Sequence, residues 1–426
     1  MAFIAVDDIE FCIYCLTHTV KTPKLTYCTN VHPLQDFASW RRAIPFFAQK
    51  LSGILGWKPF PMGLWFNETV LEVVLKQGKD SFHKELEAWG VTTFTLNAFP
   101  QRNFHDPIVK GQVYQPDWTD SSRWEYTRRC ADLLAELLPE GTEGSISTLP
   151  LGWRNPWGPA QGRLAAEALI HMALHLEKLF RITGRHITLA LEPEPGCVLE
   201  TISQVIDFWN DFLRPAAKTL VASAELDAYL GICFDTCHQA VQFEDPVVSL
   251  NALRQAGISV HKMQLSNALE FSPDPKGLSR GQRSPFVEPR FLHQTKIHSP
   301  QGLLAFDDLP LALDSDAELF AHPWRIHYHV PIHMEFIDPN ETSPNLTIAP
   351  IRTTRQAMLD ALGYALHQKM CFHFEVETYT WNVLPKALRP TNDESLAICL
   401  AQELQFILQQ FPEFSSTTSV EACNRT

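Results

Sequence analysis

Acidic side chains stand at the ends of three apolar, strand-like segments of this 426-residue chain. The segments and their acids are HITLALEPEPG with Glu192 and Glu194, LGICFDTCH with Asp235, and CFHFEVETYTW with Glu375 and Glu377. Burial of a carboxylate is costly unless the group is paired or binds a metal ion. Because a parallel barrel brings its strand ends together at one mouth, these positions predict a metal or catalytic site there.

Glu192 and Asp235 are the strongest candidates for metal ligands, since they end successive strands and hard divalent ions prefer oxygen ligands. Their alternative role is to cap the helices that follow. Glu375 and Glu377 are two residues apart and therefore face the same side of their strand. Glu377, nearer the mouth, is predicted as a metal ligand, with a salt bridge to a buried arginine as its alternative. Glu375 is predicted as a substrate contact.

The segment VHKMQLSNAL carries polar residues at the same kind of position. The two-residue period of a strand places Lys262, Gln264 and Ser266 on one face, which is too polar for a plain core. We predict that Gln264 binds the metal and that Lys262 contacts a substrate oxygen. The alternative is that this face is turned toward solvent or toward the surrounding helices.

Histidines form a further group of candidates. In RIHYHVPIH, His327 and His329 share a face, and histidines at such a spacing can bind zinc. They can equally line a lid or hydrogen-bond to the backbone, and the place of this segment in the fold is left open. His329 is predicted to contact substrate, as is His238, which follows Asp235 by three residues.

Short β-type segments alternate with amphipathic helical ones, which is typical of repeated βα units. The predicted strands are 25–30, 62–67, 91–97, 144–149, 187–192, 230–235, 260–266 and 370–377, with a ninth at 325–333. Eight strands favour a (β/α)8 barrel, and no GxGxxG follows the first strand to support an open doubly wound sheet. The expected divisions are an N-terminal segment at 1–24, the barrel at 25–390, and a C-terminal helix with a disordered tail at 391–426.

The stretch at 267–324 breaks this rhythm, and so long a loop after the seventh strand is predicted to be an insertion that serves as a lid. It contains Arg283, which is a candidate to clamp a phosphate or carboxylate of the substrate. The alternative for Arg283 is a solvated loop. Asn97, at the end of the strand at 91–97, is a further predicted substrate contact.

Charge and composition disfavour several classes of function. The net charge of −13 and the pI of about 5.7 argue against broad nucleic-acid binding, which needs a cationic surface. No apolar segment reaches the roughly 20 residues that cross a bilayer, and the N-terminus lacks the features of a signal peptide. The ten cysteines are scattered, several of them in strand-like segments, which predicts reduced thiols and a cytoplasmic protein.

With these residues in place, the chain resembles the xylose isomerase-like (β/α)8 barrels of sugar isomerases and epimerases. That resemblance implies a substrate contact from His238 and one divalent ion held by Glu192, Asp235, Gln264 and Glu377. It also implies a second acid six residues after Glu192, where this chain has Val198.

A more specific resemblance is to the EboE-type metabolite traffic proteins, and it covers about residues 25–390. It rests on the segments YCTNVHP, LEPEPGC, FDTCHQAVQFEDP and HFEVETYTWNVLP. This resemblance implies a small-molecule metabolite precursor that is moved toward export, with other proteins of the same gene cluster as partners.

Together with the metal-ligand candidates, the resemblance implies a metal-dependent isomerase or epimerase of a sugar-like or hydroxy-carbonyl metabolite, with Mn, Mg or Zn as its cofactor. Glu377 or Glu194 would move the proton next to the carbonyl, and Lys262 would stabilise the enediolate. A non-catalytic metabolite carrier on the same barrel is the alternative, favoured by the missing second acid. An abasic-site endonuclease, which the superfamily also contains, is disfavoured by the acidic charge.

Overall fold

The computed structural model describes residues 21–139, 141–219, 226–273, 283–338 and 350–417. Its strands are β1 Lys24–Tyr27, β2 Phe60–Pro61, β3 Leu64–Trp65, β4 Val91–Thr92, β5 Thr95–Asn97, β6 Glu143–Thr148, β7 His186–Leu191, β8 Leu230–Asp235, β9 Val260–Leu265, β10 Asn267–Phe271, β11 Thr295–Ser299, β12 Gly302–Phe306, β13 Trp324–Val330, β14 Phe336–Ile337, β15 Ile351–Thr353 and β16 His373–Val376.

The helices follow the strands in the alternation that the sequence predicts. They are α1 Phe37–Leu55, α2 Glu68–Gln77, α3 Lys79–Ala88, α4 Ser121–Leu137, α5 Pro159–Thr183, α6 Ile202–Phe208, α7 Arg214–Thr219, α8 Leu226–Tyr229, α9 Thr236–Val241, α10 Pro246–Gln255, α11 Leu309–Leu313, α12 Arg355–His367 and α13 Asp393–Gln410. Within the described residues, none of these helices has the length and apolarity to cross a membrane.

Eight parallel strands form a closed barrel in the order β1-β16-β9-β8-β7-β6-β5-β3. The barrel closes where Cys28, just after β1, pairs with Gly63, just before β3. The Gly63 N–H donates to the Tyr27 carbonyl oxygen at 3.0 Å, and the Gly63 carbonyl accepts from the Thr29 N–H at 2.9 Å. The predicted (β/α)8 barrel, with a long insertion after its seventh strand, is therefore confirmed.

The insertion between β9 and β16 contains a second sheet. Six antiparallel strands pair in the order β12-β11-β13-β10-β15-β14, so this sheet draws on residues 267–353 and continues beyond the predicted end at 324. The segment RIHYHVPIH contributes β13, the strand that lies between β11 and β10. The described part of the predicted loop thus contains strands, because apolar residues such as Leu269, Phe271 and Ile297 form a separate core with Trp324.

The C-terminal helix α13 packs against the barrel, since Leu400, Leu404 and Ile407 belong to the main hydrophobic core. The predicted N-terminal segment and C-terminal tail fall largely on 1–20 and 418–426, outside the described residues. Helices α2 and α3 are separated by Gly78 alone, whose positive φ of 98° interrupts what would otherwise be one continuous helix.

Candidate metal centre and active site

Three carboxylates meet at the mouth of the barrel, and we call Glu192, Asp235 and Glu377 the acidic cluster. Glu192 directly follows β7, Asp235 ends β8 and Glu377 directly follows β16. One ligand oxygen from each lies within 4.8 Å of the other two, and all three residues are at most 3% exposed. The parallel strands therefore bring together three of the four predicted metal ligands.

Two oxygens of the acidic cluster are buried without a hydrogen-bond partner, Glu192 Oε2 and Asp235 Oδ2. Burial, together with repulsion from the neighbouring carboxylates, raises the pKa of Glu192 and of Glu377 well above the ordinary value. Such crowded, buried acids with unused lone pairs fit a hard divalent cation, which would supply the missing partner and positive charge.

Asp235 caps a helix, which was the alternative considered for it, and still leaves one carboxylate oxygen without a partner. Its Oδ1 caps α9 by accepting the His238 N–H at 2.9 Å, and it also accepts the Ser266 hydroxyl at 2.8 Å. Its Oδ2 remains free for a metal. The cap thus fixes the carboxylate while one oxygen stays available as a ligand.

Glu377 is held by two amides from other strand ends. Its Oε1 accepts hydrogen bonds from Asn30 Nδ2 at 2.7 Å and from Asn97 Nδ2 at 3.0 Å. Asn97 was predicted to contact substrate and here contacts the acidic cluster. Asn30 was not identified from the sequence, because it lies in the short 3₁₀ helix Thr29–Val31 that follows β1 rather than at the strand end itself.

Gln264, the fourth predicted ligand, lies on β9 directly beside Asp235 in the register of β8 and β9. Its Oε1 is 3.2 Å from the Cys233 Sγ, and its Nε2 is buried without a hydrogen-bond partner. The structure therefore places Gln264 next to the acidic cluster.

Lys262 and Glu375 form a buried ion pair within the barrel, with Nζ and Oε2 2.6 Å apart and both side chains fully buried. Lys262 also donates to the Ser147 hydroxyl at 3.1 Å. Burial alone would lower the pKa of Lys262, but the Glu375 carboxylate outweighs it and raises that pKa. Neither residue lines the cleft at the barrel mouth.

Three histidines meet beside the acidic cluster, and we call His238, His327 and His329 the histidine cluster. Their Nε2 atoms are separated by 3.2 Å between His238 and His327, 3.1 Å between His327 and His329, and 3.3 Å between His329 and His238. Burial lowers the pKa of all three rings, to about 4 for His238. The second sheet supplies two of these rings through β13.

Glu194 lies between the two clusters, two residues beyond Glu192. Its Oε1 accepts the Tyr114 hydroxyl at 2.7 Å and is 3.7 Å from the His327 Nδ1. Burial raises the pKa of Glu194 to about 8, although the hydrogen bond from Tyr114 lowers it in part. A carboxyl group with a pKa near neutrality can both donate and accept a proton.

The clusters face a cleft at the mouth of the barrel. Its polar lining comprises Asn30, Asn97, Lys110, Tyr114, Glu192, Glu194, His238, His327, His329, Glu377 and Tyr379. Phe99, Phe104 and Phe291 add apolar walls. The predicted substrate contacts Asn97, His238 and His329 are thus brought together at one opening.

Arg283 lies elsewhere, fully buried in the core of the second sheet. Its guanidinium group is 4.5 Å from the ring centroid of Trp324 and 4.8 Å from that of Phe271. Arg283 is not among the residues that line the cleft.

Sequence reasoning missed two further polar residues: Tyr114, which lines the cleft, and Gln294, which contacts both Tyr114 and His327. Tyr114 belongs to a short 3₁₀ helix at Lys110–Tyr114, and Gln294 immediately precedes β11 in the second sheet. Neither residue stands at the end of a barrel strand, so the pattern that identified the acidic residues does not identify these two.

No model of a protein family matches the chain, and no curated protein matches it. Solved structures do match over most of its length. An IolI protein with a bound zinc atom is 12% identical, with 91% of this chain and 99% of that chain covered and a TM-score of 0.45. A xylose isomerase-like TIM barrel protein from Mycobacterium smegmatis in complex with magnesium is 11% identical, with 92% and 98% covered and a TM-score of 0.48.

A D-allulose 3-epimerase from Methylomonas sp. in complex with D-allulose is also similar. It is 11% identical, with 92% of this chain and 98% of that chain covered and a TM-score of 0.46. At such low sequence identities the similarity concerns the fold alone. The chemistry of the site has to be argued from the residues of this chain.

Proposed function

We propose that this protein is a divalent-metal-dependent isomerase or epimerase that acts on a sugar-like hydroxy-carbonyl metabolite. The observation that carries this proposal is the acidic cluster, where three buried carboxylates from three strand ends lie within 4.8 Å of one another. Two of their oxygens have no partner, and the cluster borders a cleft. A metal ion held there would supply an electrophile for proton transfer next to a carbonyl, and an acid–base group beside it would move the proton.

Glu192, Asp235 and Glu377 would hold the metal ion, with Gln264 beside them as the fourth ligand. Mn, Mg and Zn all accept oxygen ligands, and any of them would supply a Lewis acid that polarises a substrate carbonyl. Asn30 and Asn97 fix the Glu377 carboxylate in place through their amide hydrogen bonds.

Glu194 is the acid–base group that this geometry supports best. It lines the cleft, and its pKa of about 8 allows both protonation states near neutral pH. Tyr114 orients the carboxyl group by donating to its Oε1. We assign the proton transfer to Glu194, with Glu377 as the alternative. Lys262, which was expected to stabilise the enediolate, is fully buried, is paired with Glu375 and does not line the cleft.

His238, His329 and the aromatic wall would position the substrate. Phe104 and Tyr379 pack edge to face with ring centroids 5.1 Å apart, and such rings exclude water from the reacting carbons. A sugar-like substrate presents hydroxyl groups to the polar side of this cleft and C–H groups to its rings.

The test is proton exchange with solvent. The protein is loaded with Mn²⁺ or Mg²⁺ and incubated in deuterated water with a panel of aldoses, ketoses and their phosphates, and NMR follows the C–H signal next to the carbonyl. The wild type should exchange that proton for deuterium in at least one compound, and Glu192→Gln should not. Binding of a compound without exchange would instead support the non-catalytic carrier.

We also propose that the substrate is a metabolite precursor destined for export and that the protein works in the cytoplasm with other products of its gene cluster. The resemblance of its strand-end segments to metabolite traffic proteins supports this role. The cysteines of the described residues are free thiols, which supports a reducing compartment. Deletion of the gene should cause the precursor to accumulate, and a Glu192→Gln copy should fail to restore export.

A further inference from the structure

The tautomers of the histidine cluster follow from its hydrogen bonds. His238 Nδ1 is 3.1 Å from the Pro193 carbonyl oxygen, and His329 Nδ1 is 2.9 Å from the Glu377 carbonyl oxygen. Since a carbonyl oxygen only accepts, both Nδ1 atoms must carry the proton. In a neutral ring the Nε2 atom is then an unprotonated lone pair.

The same conclusion holds for His327 through Gln294. The Gln294 Nε2 donates to the Pro195 carbonyl oxygen at 2.9 Å, which fixes the orientation of the amide. Its Oε1 therefore faces His327 Nδ1, 2.7 Å away, and that nitrogen must donate as well. All three rings thus direct an Nε2 lone pair toward the other two, with no hydrogen atom between them.

The rings point inward at one another. Their centroids are 4.7 to 5.3 Å apart, farther than their Nε2 atoms, so the nitrogens form the inner corners of the group. A tetrahedral zinc ion with Zn–N bonds of about 2.0 to 2.1 Å requires N···N separations of about 3.3 to 3.4 Å. The observed separations of 3.1 to 3.3 Å match those edges closely.

We propose that His238, His327 and His329 form a second metal site, a three-histidine zinc centre. It adjoins the acidic cluster, whose Asp235 also forms a possible ligand group with His238 and His329. Carbonyl or amide oxygens hold each Nδ1, which is the outer support that metal-binding histidines usually have. Three neutral imidazoles suit zinc and its borderline-soft neighbours, whereas the acidic cluster suits harder ions such as Mg²⁺ or Mn²⁺.

The fourth position of this zinc centre faces the cleft. All three histidines line it, as does Glu194, which shares a possible ligand group with His238 and His327. An open position of this kind is typical of catalytic rather than structural zinc and would accept water or a substrate oxygen. His238 and His329 would then position the substrate through the zinc ion. The second sheet is therefore part of the site, because β13 contributes His327 and His329.

Metal binding without any substrate tests this site, and the test does not depend on the proposed isomerase activity. Chelator-treated protein is titrated with Zn²⁺ in the calorimeter, for the wild type, His327→Gln, His329→Gln and Glu192→Gln. His327→Gln and His329→Gln should each lose one equivalent of tight zinc that Glu192→Gln retains. His333→Gln is the matched control, since His333 lies in the same segment but outside the cluster.

A measurement on the wild type avoids any concern about the folding of variants. With Co²⁺ as the probe, the three-histidine site should give the intense visible absorption of a tetrahedral ion, and zinc X-ray absorption should show three imidazole ligands. Only weak, octahedral Co²⁺ absorption, or zinc with an all-oxygen shell, would overturn the proposal. Loss of both metals in Glu192→Gln with no effect of His327→Gln would do the same.

Discussion

His329 donates its Nδ1 proton to the backbone carbonyl oxygen of Glu377 at 2.9 Å, while the Glu377 carboxylate belongs to the acidic cluster. Glu377 therefore contributes to both clusters. Its side chain belongs to the acidic cluster, and its main-chain carbonyl oxygen supports a ring of the histidine cluster. This hydrogen bond connects β13 of the second sheet to the mouth of the barrel. It therefore holds the histidine cluster next to the acidic cluster.

Metal binding should stabilise the protein through the acidic cluster. At a free metal concentration 100 times the dissociation constant, the expected gain in unfolding free energy is about 2.7 kcal/mol. Addition of Mn²⁺ to chelated wild type should raise the thermal midpoint, and Glu192→Gln should abolish the rise. Glu244→Gln, a half-buried acid outside the cluster, should keep it, and an equal rise in all three proteins would argue against this site.

Glu403 should make stability depend on pH. Burial raises the pKa of this α13 carboxyl to about 7, although the Thr378 hydroxyl and the Ile332 N–H donate to it. The folded state therefore holds the proton more tightly than the unfolded chain, so this stabilisation is complete below about pH 4.5 and is lost as the pH rises through 7.

The change in unfolding free energy between pH 5 and pH 8 should reach about 3 kcal/mol at most for this group. Urea unfolding of wild type and Glu403→Gln over that range measures it. The amide still accepts both hydrogen bonds but does not ionise, so the curve of the variant should be flatter. Parallel curves for the two proteins would show that Glu403 titrates normally.

Gly63 should be irreplaceable at the closure of the barrel. A Cβ on this residue would lie 1.5 Å from Glu375 Oε1 and 3.2 Å from the Tyr27 carbonyl oxygen. Gly63→Ala should therefore destabilise the fold by about 1 to 3 kcal/mol in chemical denaturation. Gly53→Ala, in open space on α1, should be neutral or stabilising, and similar losses from both variants would contradict this packing.

The Lys262–Glu375 pair should behave as one unit. Lys262→Met leaves a buried, unpaired carboxylate and should cost about 3 to 5 kcal/mol of unfolding free energy. The double variant with Glu375→Gln should be less destabilised than Lys262→Met alone, since the stranded charge is removed. Additive losses in denaturant unfolding would mean that the two groups do not interact.

The barrel could be predicted because the alternation of strands and helices is visible in local residue patterns. The acidic site could be predicted because the carboxyl ends of all parallel strands in a barrel meet at the same mouth. The register that brings Glu192, Asp235 and Glu377 together needs only the order of the strands. His327 was recognised as a candidate, yet its partner His238 lies 89 residues away on a barrel helix. Their meeting depends on how the second sheet packs on the mouth, which no local pattern encodes.

Lys262 shows the opposite limitation. Its strand face was predicted correctly as polar, but the depth along the barrel decides whether a residue meets substrate or another side chain. Glu375 pairs with it below the mouth, whereas Glu377, two residues later, reaches the acidic cluster. Glu375 and Glu377 are only two residues apart on the same strand face, yet their surroundings differ. Which of the two reaches the mouth depends on how the strand is aligned with its neighbours in the barrel, not on the residue type.

Anomalous diffraction from crystals of the wild type soaked in Mn²⁺ tests the central claim most directly. The account predicts an anomalous peak within bonding distance of Glu192, Asp235 and Glu377, and its absence from crystals of Glu192→Gln. A wild-type map with manganese only at other positions, or with none bound, would contradict the metal centre on which the proposed chemistry depends.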